Sequence, residues 1–139
     1  MKKTFLTLFI LSFLSCSENS ELSDSDHPFH PEWSKSSNIY EVNIRQYTPE
    51  GTFAAFQNHL PRLKKMGIDI LWLMPIQPIG KVKRKGLLGS YYSISDYTAI
   101  NPEFGSEQSF LELVSKAHEL GLKLILDWVP NHTAWDHDW

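Results

Sequence analysis

Two stretches of the sequence repeat one another. Leu63-Lys64-Lys65-Met66-Gly67-Ile68-Asp69-Ile70-Leu71 lines up with Ala117-His118-Glu119-Leu120-Gly121-Leu122-Lys123-Leu124-Ile125. Each ends an amphipathic helix, places a glycine after it and opens an apolar run. The second run, Leu122 to Leu126, is continuous rather than alternating, which is the pattern of a parallel strand covered on both faces. Helix, glycine and buried strand, used twice, is the grammar of a parallel sheet with helical crossovers. The sequence therefore predicts an α/β fold.

The remaining elements fall in place around this repeat. Asn38 to Ile44 reads as a first strand. Gly51-Thr52 opens a helix whose apolar positions, Phe53, Phe56, Leu60, Leu63 and Met66, recur at three- and four-residue intervals. Pro61 interrupts it, which predicts a kink or two short helices with Pro61 in a first turn. Gly67 caps the end, and Ile68 to Met74 forms a second strand closed by Pro75. A long loop from Pro75 to about Ser95 carries Gly80, Gly86 and Gly89. Ser106 then opens a second helix with Phe110, Leu111, Val114, Ala117 and Leu120 on one side. The third strand runs into Asp127-Trp128-Val129-Pro130-Asn131-His132. In α/β barrels the chemistry sits where strands end, so Asp127, Asn131 and His132 stand where a site would be built. About three strands and two helices cannot close a barrel, which takes eight strands and about 250 residues. An open sheet of this size leaves a bare edge and an uncovered strand face, and the segment is expected to fold weakly by itself.

The front of the chain reads differently. Lys2 and Lys3 precede an apolar run from Phe5 to Leu14, with Ser15 before Cys16. A basic start, a short apolar core and a small residue at the cut describe a secretory signal over residues 1–15. The run is shorter than the roughly 20 residues that span a bilayer. Cys16 is the single cysteine of the chain, and Phe13-Leu14-Ser15-Cys16 resembles a bacterial lipobox, which implies lipidation of Cys16. Residues 16–35 are polar and acidic, without periodicity, and read as a flexible tether. Their acidity resembles the surface-export signals of some gram-negative lipoproteins. The expectation is an exported lipoprotein, held at the outer membrane or cell surface by its lipid anchor, or otherwise periplasmic or secreted. The net charge of -3 gives no reason for a nucleic-acid partner. Lys81, Lys83, Arg84 and Lys85 are read as a solvated basic loop. His132, Asp136, His137 and Asp138 match no helical ligand spacing and are likewise read as a solvated loop rather than a metal site.

With these elements placed, residues 36–139 resemble the alpha-amylase family of glycoside hydrolases. Ile39-Tyr40-Glu41-Val42-Asn43-Ile44-Arg45 is similar to its first strand and Gly67-Ile68-Asp69-Ile70-Leu71-Trp72-Leu73-Met74-Pro75 to its second. Tyr92-Ser93-Ile94-Ser95-Asp96-Tyr97, then Asn101-Pro102-Glu103-Phe104-Gly105, is similar to the loop before its second helix. Asp127-Trp128-Val129-Pro130-Asn131-His132 resembles its first signature. The resemblance implies the N-terminal part of a TIM (β/α)8 barrel. It implies that His132 hydrogen-bonds the 6-hydroxyl of the sugar at the cleavage subsite and that Tyr92 stacks on that sugar, although the family usually has glycine where Tyr91 stands. It implies that Asp127 organises the site by pairing with an arginine elsewhere, and that Asn131 binds a structural calcium in the complete enzyme.

A retaining glycosidase needs two carboxyls about 5–5.5 Å apart, one a nucleophile and one an acid with raised pKa. In the family these follow later strands, so this chain is expected to hold the sugar-gripping half of a site and to be inactive alone. The resulting expectation is the front part of an exported retaining hydrolase of α-1,4-glucans such as starch and maltooligosaccharides. The alternative is a non-catalytic glucan-binding surface lipoprotein using Tyr92, His132 and the tryptophans.

Overall fold

Three short strands run side by side in the same direction: β1 (Ile39–Val42), β2 (Ile70–Leu73) and β3 (Lys123–Leu126), in that order across the sheet. The computed structural model describes residues 30–139. The signal sequence, Cys16 and all but the end of the tether lie outside the described residues. Parallel strands cannot be joined by a tight turn, so each connection must cross back along the sheet. The first crossover is made by α1 (Ile44–Tyr47), α2 (Phe53–Gln57) and α3 (Leu60–Lys65), and the second by a long loop and α4 (Glu107–Glu119). Register pairs Val42 with Leu73 and Leu73 with Leu126.

Local chemistry sets the element ends. The Thr52 hydroxyl accepts from the Ala55 amide at 3.3 Å and caps α2. The helical run then breaks at Asn58-His59, and Pro61 lies in the first turn of α3, so the expected interruption is two short helices. Gly67, at φ 87°, takes the left-handed conformation that ends α3 and frees the chain to start β2. Gly121 does the same after α4 at φ 70°. At the start of α4 the Ser106 hydroxyl accepts from the Ser109 amide at 3.2 Å, and the Ser109 hydroxyl oxygen accepts from the Ser106 amide at 2.9 Å. This is a capping box with serine in place of the usual glutamate.

The core is one cluster. Phe53, Phe56, Leu60 and Leu63 from α2 and α3 pack with Val42, Leu71 and Leu73 of the sheet and with Leu113, Ala117 and Leu122. Phe53 meets Phe104 with ring centroids 6.0 Å apart, and Tyr47 meets Phe56 edge-on at 4.7 Å.

Several expectations need correction. The first strand stops at Val42, and Ile44 opens the helical turn α1 instead of ending the strand. Met66 is the C-cap residue of α3 and is exposed, not core. On α4 the buried pair is Leu113 and Ala117, while Leu111 is 52% exposed. At about 100° per residue, Leu111 stands about 160° around the helix from Leu113, on the solvent side. The third strand is not covered on both faces: Ile125 and Leu126 are 44% and 43% exposed, although Leu73, paired with Leu126, is fully buried. Among the described residues β3, like β1, is an edge of the sheet. Nor is the long loop simply solvated. Ile76, Ile79 and Ile94 are buried, and Ile79 and Ile94 form an antiparallel bridge. Arg84, expected in solvent, donates to the carbonyls of Gly80 (2.7 Å), Ile79 (2.8 Å) and Leu87 (3.2 Å) and folds the loop around itself.

The helix face is testable. Leu113→Ala should lower unfolding free energy by about 2–5 kcal/mol, whereas Leu111→Ala should change it by less than about 0.5 kcal/mol. Urea denaturation of both variants checks this, and the opposite ranking would return Leu111 to the core.

Candidate functional site

The ladder between β2 and β3 continues one residue past the strand, with the Asp127 amide donating to the Leu73 carbonyl at 2.9 Å. That bond fixes Asp127 at the carboxyl end of the sheet, where its sequence position placed it. Tyr92, on the long loop, meets it there. The Tyr92 phenol is raised above its ordinary pKa, first by burial, then by the neighbouring Asp127 carboxylate, and last by the charge of Glu41 on β1. The neutral phenol is the form that a neighbouring carboxylate favours.

The segment after β3 is shaped by Tyr97. Its hydroxyl lies 2.5 Å from the Val129 carbonyl oxygen and 2.9 Å from that of His132, so one phenolic proton serves two turns of the segment. Tyr97 is presented by a tight turn in which the Asp96 carboxylate accepts from the Thr98 amide (2.8 Å) and hydroxyl (2.7 Å). The Thr98 hydroxyl first, and then its amide, hold the Asp96 carboxyl below the usual range. The Tyr97 ring stacks on Trp139 at 5.7 Å with an interplanar angle of 19°, and tilts against Trp128 at 5.6 Å.

Between these rings and the Asn131-His132 turn lies an open groove of about 400 Å³. Its walls include Tyr97, Trp128 and Trp139, with Asn131 and His132 along it. The Asn131 amide nitrogen is 3.2 Å from Nδ1 of His132. With the amide as donor, Nδ1 accepts, and the imidazole proton stands on Nε2. Exposed aromatic faces, an imidazole N–H and a side-chain amide are groups that orient a polyol. Among the described residues no aspartate or glutamate lines the groove.

The four expected site residues thus assemble as two pairs. Asp127 meets Tyr92, and Asn131 meets His132. Tyr92 does not line the groove that holds His132. Tyr97 is the groove aromatic that the sequence reading does not single out, while Trp128 and Trp139 are among the tryptophans of the alternative reading. The signal for Tyr97 is the Asp96-Tyr97-Thr98 turn. For calcium, which takes about six to eight oxygen ligands, Asn131 supplies one amide oxygen. Among the described residues no group of three or more His, Cys, Asp or Glu side chains could hold a metal ion. Asp136, in the cluster weighed as a metal site, spends one carboxylate oxygen on the backbone amides of Lys81 and Val82.

The Tyr92–Asp127 contact predicts a titration. Removing the negative charge by Asp127→Asn should shift Tyr92 ionisation to lower pH. Proton NMR of ring-labelled tyrosine, assigned with Tyr92→Phe, reads it, and an unchanged midpoint would separate the two side chains.

The description "Alpha amylase, catalytic domain" matches residues 16–139. An alpha-glucosidase of Apis mellifera is 38% identical over 106 residues, covering 73% of this chain and 18% of that protein. Alpha-amylase 3 of Dictyoglomus thermophilum is 34% identical over 145 aligned residues, covering 100% of this chain and 26% of that protein. The crystal structure of an alpha-amylase from Lactobacillus plantarum superposes with a TM-score of 0.72 at 52% identity, covering 73% of this chain and 24% of that one. The chain therefore spans about a quarter or less of the length of these relatives, and its three parallel strands are part of a TIM-barrel catalytic domain. The chain belongs to the alpha-amylase family of glycoside hydrolases.

Proposed function

We propose that this chain supplies the sugar-holding part of the active site of an exported hydrolase that cleaves α-1,4-glucosidic bonds in starch and maltooligosaccharides with retention. The observation that carries the proposal is the Asn131-His132 turn, which leaves the carboxyl end of β3 and lies along an aromatic-walled groove. In this reading Nε2–H of His132 donates to a sugar hydroxyl. Tyr92 offers its ring to the sugar, and Asp127 orients the site through its charge. Orientation lowers the barrier only when reacting carboxyls are also present. The nucleophile and the acid/base are therefore assigned to barrel strands outside these 139 residues. A groove with aromatic walls and no carboxylate also favours a second reading, a non-catalytic glucan-binding lipoprotein. Export follows from the signal-like front, with Cys16 as the lipid-bearing residue.

The test is hydrolysis of maltoheptaose by the complete gene product. Release of α-configured products, seen by NMR before mutarotation, is expected. Loss of a positioned donor should lower kcat/KM of His132→Ala by about 10²-fold. Retention on insoluble starch with no bond cleavage would select the second reading, and neither retention nor cleavage would remove both. Metabolic labelling with palmitate should mark the parent and spare Cys16→Ser, and equal labelling would exclude Cys16 as the anchor.

A further inference from the structure

We propose that Asp136 is a positioning residue: its carboxylate clamps the backbone of the long loop onto the segment that carries Asn131 and His132. Its functional readout rests on the sugar-groove reading above. One oxygen, Oδ2, accepts from the Lys81 amide at 2.6 Å and from the Val82 amide at 3.2 Å, across more than fifty residues of sequence. Two amides on one carboxylate oxygen are charge-assisted bonds, stronger than neutral ones. The amides of Lys81 and Val82, with the charge of Arg84, hold the Asp136 carboxyl below its usual range, which is the direction expected of a carboxylate engaged as an acceptor.

The neighbouring sequence is built around the clamp. Gly80 precedes the first clamped amide, and a Cβ there would overlap both Asp136 Oδ1 and the Ala134 methyl group. The backbone passes this close because position 80 has no side chain. The Gly80 amide donates to the Ser93 carbonyl at 2.9 Å, and the Ser95 amide donates to the Pro78 carbonyl at 2.9 Å, so the clamped loop is itself held. Two residues before Asp136, the Ala134 amide donates to the Ile94 carbonyl at 2.8 Å. One residue before it, the Trp135 ring lies under the Lys83 ammonium at 3.4 Å. Tyr97 ties the other end of the same segment through the Val129 and His132 carbonyls. The turn bearing His132 therefore lies between Tyr97 on one side and, on the other, the Ala134–Ile94 bond backed by the Asp136 clamp. No helix or strand of its own supports it. Releasing Asp136 leaves that side of the segment on the single Ala134–Ile94 bond and the Trp135–Lys83 contact, and displacements of about 1 Å cost binding and orientation.

Amide hydrogen exchange and a maltoheptaose titration followed by tryptophan fluorescence test the assignment on the full chain. In Asp136→Ala, exchange at Lys81, Val82 and Ala134 should speed by at least about tenfold, and maltoheptaose affinity should fall by about tenfold. Asp136→Asn keeps an acceptor oxygen at nearly the same volume and should recover most of both losses. It also keeps the test available if the alanine variant unfolds. Gly80→Ala alters no charge, yet should reproduce the Asp136→Ala pattern by displacing the carboxylate. His132→Ala should lose affinity with exchange at Lys81 and Val82 unchanged. Parent-like exchange at these amides in Asp136→Ala and Gly80→Ala would overturn the clamp. Opened amides with unchanged affinity would overturn its positioning role. If the parent binds no maltoheptaose, the sugar-groove reading fails, and exchange alone decides the clamp.

Discussion

A parallel ladder aligns the carboxyl ends of its strands on one edge, and everything functional in this chain hangs from that edge. The hydrogen bond from the Asp127 amide to the Leu73 carbonyl is the last rung. It fixes where the backbone leaves the sheet, and so where Asn131 and His132 begin. Parallel pairing also demands long crossovers. Here the demand is met once by helices and once mainly by the loop over residues 74–106 before α4, and that loop supplies Tyr97 beside the segment after β3.

The loop does by specific bonds what a helix would do by repetition. Long connections without regular structure are uncommon in compact folds and tend to serve a site. This one is wound around Arg84, whose guanidinium occupies three carbonyls, and is closed by the Ile79–Ile94 bridge. Its distal part supplies Tyr92 to Asp127 and Tyr97 to the backbone of the His132 segment. Basic composition suggested a solvated stretch. Arginine bonded to carbonyls and lysines left in water look alike in a sequence, since the difference lies in which backbone oxygens lie nearby.

Much of the fold was legible because it is local. Pro61 splits the run from Phe53 to Met66 into α2 and α3, Gly67 and Gly121 end helices at left-handed φ, and Ser106 caps α4. Each effect needs a residue and its neighbours within one turn. Asp127 was legible for the same reason, since the repeat located the strand end. What failed needed knowledge of the partner. Leu111 and Leu113 are equally apolar, and packing against Phe53 and the sheet decides which faces inward. The exposure of Ile125 and Leu126 depends on what lies beyond β3. Tyr97 and Trp139 meet across forty-two residues, and no local signal records a stacking partner at that distance. Asp136 is the sharpest case, because its partners are backbone amides, which are the same at every position.

The central claim is that a glucan chain lies in the groove walled by Trp128, Trp139 and Tyr97 with the His132 imidazole against it. Isotope-filtered NOE measurement on the protein with bound maltoheptaose tests it directly. The prediction is a set of intermolecular contacts from sugar ring protons to the indoles of Trp128 and Trp139 and to the His132 ring. Bound sugar whose contacts all fall on other residues would contradict it.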